Sequence, residues 1–296
     1  MRYKLVLLAA VGLFGCSSPS TTTSSAITSR PNVPGTVFTI IFENDDGANV
    51  IQPNLPFFYS LANENGQALA YSSTTHPSLP NYIQLTSGGN GGVVNDNDPR
   101  WAPRIFTDNI ADQLDNAGIK WRAYMESMGE PCKLDSEHEY SAHHNPFLYY
   151  DSMIRDRARC NDRIVDLDAN FDADLAANYR FMFIVPNMCN DMHDCAREVS
   201  DRWLENIVTK IFASPGYQNG GALFVLFDEG RARVFGAKAN LATIVASPNL
   251  VSRGFKSTTP FNHASYLATV EDIFGLPRMR TTENATPMSE FFTPAR

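Results

Sequence analysis

Three stretches of the chain are apolar almost without a break and end in polar residues: TVFTIIFEN (36–44), RFMFIVPN (180–187) and ALFVLFDEG (222–230). Runs of this kind suit strands buried on both faces of a mostly parallel sheet. LATIVAS (241–247) reads as a further buried strand. Helical patterns lie between the runs, at 106–117 before IKWRAYME, at 196–212, and at 263–274 before GLP. Strand and helix alternate with no internal repeat, which predicts one three-layer α/β/α sandwich with a mostly parallel central sheet, beginning near Asn32. In such sheets ligands gather at the carboxyl ends of the strands. Two of the apolar runs end in adjacent oxygen donors, Glu43-Asn44 and Asp228-Glu229.

The first residues follow another pattern. MRYK carries two cations, an apolar run follows to Phe14, and Gly15-Cys16 comes next. The run is far short of the roughly 20 residues a membrane helix needs, so residues 1–15 read as a signal peptide. LFGC resembles a bacterial lipobox, which implies acylation at Cys16. Residues 16–34 are rich in Ser and Thr and read as a disordered tether, leaving 35–296 as the folded domain. The expected location is outside the cytoplasm, on a membrane facing the periplasm or the cell exterior, with the lipid anchor as the only membrane contact.

Composition narrows the picture in two ways. A net charge of −8 with no basic stripe excludes a nucleic-acid surface. An anionic substrate therefore needs a local positive feature such as a metal ion, an arginine or a helix N-terminus. Four cysteines remain after Cys16, an even number in an exported chain, which favours disulfides. Four cysteines allow three connectivities; the favoured one closes a small loop between Cys189 and Cys195 and a longer one between Cys132 and Cys160.

The stretch THPSLPNYIQLTSG (75–88) holds one serine between two prolines. Pro77 and Pro80 fix the backbone on either side of Ser78. A serine hydroxyl is a poor nucleophile near neutral pH, and coordination to a divalent cation stabilises its alkoxide. Glu43, Asn44, Asp228 and Glu229, joined by Ser78, form an oxygen-only donor set for one divalent ion, magnesium, calcium or manganese. Asn81 is placed to open the next helix and to offer its amide to a substrate oxygen. A proline-stiffened turn with a helix cap is the plainer reading of the same stretch.

IIFEN, THPSLPNYIQLTSG, HNPFLYY, PNMCNDMHDC, FDEG and NHASYLATVEDIFGLP, in that order, resemble the phosphoesterase family of bacterial acid phosphatases and phospholipases C, within the alkaline-phosphatase-like superfamily. The resemblance implies an alkaline-phosphatase-like fold and hydrolysis of a small-molecule phosphate ester. It marks Ser78 as the nucleophile that becomes phosphorylated, and Glu43, Asn44, Asp228 and Glu229 as metal ligands. His144 and His193 match histidines that stand near the phosphoryl group where two-metal relatives keep a second ion. As charged substitutes for that ion they imply an acid pH optimum. His143 is an alternative to His144, and Asp191, His193 and Asp194 an alternative small metal cluster. His263 caps a helix or reaches the site, His76 reads as structural, and His138 as solvent-exposed. Compact size favours a monoesterase; a phospholipase C-type diesterase and a non-catalytic binding lipoprotein are the alternatives.

Overall fold

The computed structural model describes Met1 and residues 30–73, 75–231 and 240–295. The expected signal peptide, Cys16 and most of the tether lie outside the described residues. Residues 30–34 belong to the fold, contrary to their assignment as tether. Pro31 bridges Pro294, Val33 is buried, and the Arg30 side chain donates to the Ile273 carbonyl.

Eight strands form one sheet: β1 (Val37–Phe42), β2 (Gly66–Ala68), β3 (Trp121–Met125), β4 (Ile164–Asp166), β5 (Phe181–Val185), β6 (Ala222–Phe227), β7 (Ile244–Ala246) and β8 (Lys256–Ser257). Their order is β4-β3-β5-β1-β6-β7-β2-β8, which puts β1 near the middle. β3, β4, β5, β1 and β6 run parallel, and β7 runs antiparallel to both its neighbours, β6 and β2. The three long apolar runs are therefore the adjacent strands β5, β1 and β6, buried along their whole length.

Alternation along β1 assigns the two helical layers. The Thr39 hydroxyl meets the Tyr266 hydroxyl at 2.7 Å, on the helix His263–Phe274. Phe42 points the other way, edge-on to Phe58 and Trp203 of the helices Pro56–Glu64 and Arg197–Ala213. Side chains of odd and even number on one strand face opposite layers, so the sandwich is direct to read. The helix predicted at 263–274 has these bounds, opened by a capping box on Asn262 and ended by Gly275 at φ 67°. The helix predicted at 106–117 is shorter, Ile110–Asn116, because Asn109 caps it by accepting from the Asp112 N–H.

Candidate active site

Glu43-Asn44 follows β1 and Asp228-Glu229 follows β6, its neighbour. Phe42 pairs with Phe227 in parallel register, so both polar pairs leave the sheet at the same level. The Asp228 N–H donates to the Phe42 carbonyl at 3.0 Å, and the Asn44 N–H reaches Asp228 Oδ1 at 3.3 Å. Asn44 turns out of the strand at φ 50°, a conformation asparagine tolerates better than most residues.

Ser78 is the first residue of the helix Ser78–Ser87 and is buried, its Oγ donating to Glu43 Oε2 at 3.0 Å. The Leu79 N–H beside it donates to Asp96 Oδ1 at 2.9 Å. Asn81 does not open the helix, which starts three residues earlier. Its Nδ2 is directed at protein oxygens, with Glu229 Oε2 and the Thr75 carbonyl at 2.9 Å and the Pro77 carbonyl at 3.2 Å. The amide expected to meet substrate thus ties the serine turn to Glu229. His76, expected to be structural, places Nδ1 2.9 Å from the same Glu229 oxygen while a third of its side chain stays exposed. His76 and Asn81 of this turn therefore converge on Glu229 at the end of β6, which a motif reading without tertiary contacts does not reveal.

The histidines divide between deep and open positions. His144 is buried and stacked on Tyr82, with Nε2 3.3 Å from Glu43 Oε1 and Nδ1 3.4 Å from Asp191 Oδ2. His143 turns away, sharing a hydrogen bond with the Ser141 hydroxyl at 2.9 Å, so His144 is the one beside Glu43. Burial, reinforced by His193, pushes the His144 imidazole down to about 3. Its carboxylate neighbours do not offset this, because burial drives them toward protonation as well. A buried neutral ring is not the standing cation expected from sequence. His193 is the open member: 35% of its side chain is exposed, and its Nδ1 lies 2.7 Å from Asp194 Oδ1. His263 reaches the site through the backbone. Its Nε2 lies 2.7 Å from the Asp228 carbonyl, which can only accept, so Nε2 carries the hydrogen and Nδ1 faces the Tyr71 hydroxyl at 3.0 Å. His138 is exposed, as expected.

Both expected disulfides are present, Cys132 with Cys160 and Cys189 with Cys195. The second closes the loop that carries Asp191 and His193. Within it Met192 stands at φ 83°, a strained conformation for a side-chain-bearing residue, and the His193 N–H donates to Asp191 Oδ1 at 2.8 Å. The loop is also held from below by Glu126, which accepts from the Asn187 N–H, the Asn190 amide and the Trp203 indole. Asp96 and Glu126 lie in no motif that distinguishes them in sequence from ordinary loop or core residues; Tyr82 and Asp191 lie inside quoted motifs, and only Asp191 stood in a candidate cluster.

The electrostatics are those of an anionic pocket. Glu43, Asp191, Asp228 and Glu229 are all buried. Glu43 is held well above the usual carboxylate range by burial and then by Asp228 and Asp191, and Asp228 likewise by burial and then by Glu229. Burial pushes Asp191 up to about 7. Among the described residues no lysine or arginine pairs with Glu43, Asp191 or Asp228. Glu43 Oε1, Asp228 Oδ2, Asp191 Oδ2, Asn81 Oδ1 and His144 Nε2 are buried with no hydrogen-bond partner. Buried polar atoms are normally satisfied, and this group of orphaned oxygens fits the donor chemistry of a hard divalent cation. Three His, Cys, Asp or Glu side chains drawn into a closed cage are not found among the described residues. The donor set expected from sequence also counts the neutral oxygens of Asn44 and Ser78, which such a cage leaves out.

This charge arrangement predicts a pH dependence of stability for metal-free protein. Unfolded carboxyl groups ionise near pH 4, at about 3.9 to 4.3, whereas folded Asp191 keeps its proton up to about 7. From this group the folded state binds more protons than the unfolded state, which lowers stability as pH rises through about 7. Burial pushes His143, His144 and His263 down to about 4, 3 and 4, and they work in the opposite sense below the ordinary histidine pKa of about 6.5. Thermal melts of chelated protein should therefore show a midpoint that falls as pH rises from about 6.5 through about 7, with the fall weakened by excess magnesium or manganese. A chelated midpoint that climbs over that step would contradict the arrangement.

Comparison with known proteins adds descent to geometry. A model of the Phosphoesterase family matches residues 49–277, beginning just after Glu43-Asn44 and taking in Ser78, His144, His193, Asp228 and Glu229. The chain is 26% identical over 310 residues to a phosphate-repressible acid phosphatase of Penicillium chrysogenum, covering 94% of this chain and 73% of that one. It is 28% identical over 269 residues to an acid phosphatase of Aspergillus fumigatus, covering 84% of this chain but only 57% of the relative. A phosphatidylinositol-3-phosphatase of Mycobacterium tuberculosis is 27% identical over 264 residues, with 86% and 82% covered. Among solved structures, a protein in the alkaline phosphatase superfamily from Vibrio parahaemolyticus superposes with a TM-score of 0.60 at 15% identity, covering 87% of this chain and 71% of that one. At that identity the likeness concerns the fold, which is alkaline-phosphatase-like.

Proposed function

The chain belongs to the Phosphoesterase family, and on that premise we propose that it hydrolyses phosphate monoesters through a phosphoserine intermediate on Ser78. One observation carries the reading. The Ser78 hydroxyl, at the start of a helix, is aimed at Glu43 within a group of buried carboxylates in which Glu43 Oε1, Asp191 Oδ2 and Asp228 Oδ2 make no hydrogen bond. The activities of the relatives, two acid phosphatases and a phosphatidylinositol-3-phosphatase, support the substrate class.

Glu43, Asn44, Asp228 and Glu229, with Ser78, would hold one divalent ion, magnesium, calcium or manganese. Such an ion supplies Lewis acidity, which lowers the serine pKa and offsets charge on the phosphoryl oxygens. The chain's own residues account for the remaining steps. Ser78 Oγ forms the bond to phosphorus and passes its proton to the Glu43 carboxylate it already touches, while the bond from phosphorus to the ester oxygen breaks. His193, the open histidine, protonates the departing oxygen. Water then attacks phosphorus and gives a proton to His193, while Ser78 Oγ leaves and recovers the proton held by Glu43. His76 and Asn81 hold Glu229 and His263 holds the Asp228 backbone, so the end of β6 is oriented before substrate arrives, while His144 stands between Glu43 and Asp191.

The two disulfides agree with an oxidising compartment, and no helix among the described residues is long and apolar enough to cross a membrane. We place the protein outside the cytoplasm, anchored by lipid at Cys16. The chemistry is tested with p-nitrophenyl phosphate, bis(p-nitrophenyl) phosphate and phosphatidylcholine, each with magnesium, calcium and manganese. Turnover of the monoester well above both diesters is expected. Preference for phosphatidylcholine would make the protein a phospholipase C-type diesterase, and no turnover of any ester would make it a binding lipoprotein.

A further inference from the structure

Glu126 is a buried carboxylate to which the proposed chemistry gives no part. It follows β3 and continues its ladder, its N–H donating to the Val185 carbonyl of β5 at 3.0 Å. Both of its oxygens face N–H donors. Oε2 accepts from the Asn187 N–H at 2.8 Å, Oε1 accepts from the Trp203 indole at 2.8 Å, and the Asn190 amide lies 3.0 Å from each oxygen. Asn187 and Asn190 lead into His193, whereas Trp203 stands on the helix Arg197–Ala213 and packs edge-on against Phe42, the residue before Glu43. One side chain thus joins the histidine loop to a ring packed against the end of β1.

The loop has means of its own to keep its shape. The Cys189–Cys195 disulfide closes it, the Asp191 N–H donates to the Asn187 carbonyl and the Asp194 N–H to the Met188 carbonyl, each at 2.9 Å. What remains to be fixed is where this unit stands relative to Ser78. The Glu43 N–H ties it to β1 by donating to the Asp191 carbonyl at 2.9 Å, and the Asn187 side chain reaches the Ser127 hydroxyl and exposed Glu139. Glu126 is the buried side chain that takes two residues of the loop at once.

Placement matters most for the group that moves a proton. Asp194 Oδ1 lies 2.7 Å from His193 Nδ1 and accepts from it, so the proton that can leave the ring is on Nε2. A proton donor works only within hydrogen-bond reach of the oxygen it protonates, and an error of about 1 Å costs on the order of 10²-fold in rate. We propose that Glu126 is a positioning residue for phosphoryl transfer: by holding Asn187 and Asn190 it sets the place from which His193 protonates the leaving oxygen. The inference rests on the reading of His193 as that acid.

Glu126→Gln keeps size and shape, but the new NH2 group must face either the Asn187 N–H or the Trp203 N–H, donor against donor. The readout is kcat/KM of the full-length enzyme for phenyl phosphate and for p-nitrophenyl phosphate, which covers departure of the ester oxygen. Phenolate leaves poorly without a proton and p-nitrophenolate leaves readily, so a misplaced acid is felt mainly on phenyl phosphate. His193→Gln and Glu126→Gln should each lower kcat/KM for phenyl phosphate at least about tenfold more than for p-nitrophenyl phosphate, a share of the roughly 10²- to 10⁴-fold that a placed acid supplies. The double variant should discriminate no further than His193→Gln alone, because both residues act on one step. Asn190→Ala cuts the contact from the loop's side, should shift the selectivity in the same direction, and serves where Glu126→Gln does not fold. Equal slowing of both esters by Glu126→Gln, or by Asn190→Ala in its place, would make Glu126 a structural residue and overturn the proposal while His193 stands as the acid. Greater discrimination in the double variant than in His193→Gln would overturn it as well. Equal slowing by His193→Gln would instead remove the acid reading and the proposal with it.

Discussion

Ser78→Ala is expected to lower phosphoester turnover by roughly three to six orders of magnitude, the scale on which enzymes lose rate with a covalent nucleophile. Little else should change. The side chain contributes one hydrogen bond, to Glu43, worth on the order of 1 kcal/mol, and alanine suits the first turn of a helix. The variant should therefore fold, keep its disulfides and retain most of its metal affinity, since the carboxylates stay. Acid-quenched wild-type enzyme should carry phosphate on the peptide that contains Ser78, and the variant should not. A variant that keeps a tenth of the wild-type rate would exclude Ser78 as the attacking group whatever its effect on metal content.

Chelation should abolish turnover, and Asp228→Asn should reproduce much of that loss by a different route. Asparagine keeps the shape of the side chain and an Oδ1 able to accept from the Asn44 and Glu229 N–H groups. It removes one buried charge from a cluster in which burial and Glu229 already oppose ionisation of Asp228. The variant should bind divalent metal at least about tenfold more weakly and turn over at least about 10²-fold more slowly, a loss typical when one preorganised charge is deleted from a site. Its metal-free form should nonetheless melt at a higher temperature than metal-free wild type near neutral pH, because a repulsion has been removed without opening a cavity. Metal titration by calorimetry together with melts in chelator separates the two effects. If Asp228→Asn binds metal normally, or if chelated wild type stays active, the metal reading of the cluster fails.

The parts of the fold legible in sequence were those where burial is complete. β5, β1 and β6 are apolar throughout because both their faces are covered, and their polar ends stand out for the same reason. β2, β4 and β8, two or three residues each, leave no periodicity to read. Two effects of tertiary structure were not legible. The Asn81 amide lies within reach of the Glu229 carboxylate only after β6 and the Ser78 helix have packed together, so sequence could assign it to substrate but not to Glu229. His144 carries the same letter as His193, yet one is sealed between carboxylates and the other open to solvent. Proton affinity follows from surroundings, and spacing along the chain does not encode them.

β1 hydrogen-bonds to β5 on one side and β6 on the other along its length, and a strand so placed is among the last elements of a domain to open in native-state fluctuations. Glu43 and Asn44 are its direct continuation, and Asp228 is tied to them by a backbone hydrogen bond. The anionic half of the site therefore shares the lifetime of the most slowly exchanging amides in the protein. Heat or denaturant should then cost the protein its ability to hold a cation only when the whole domain is lost.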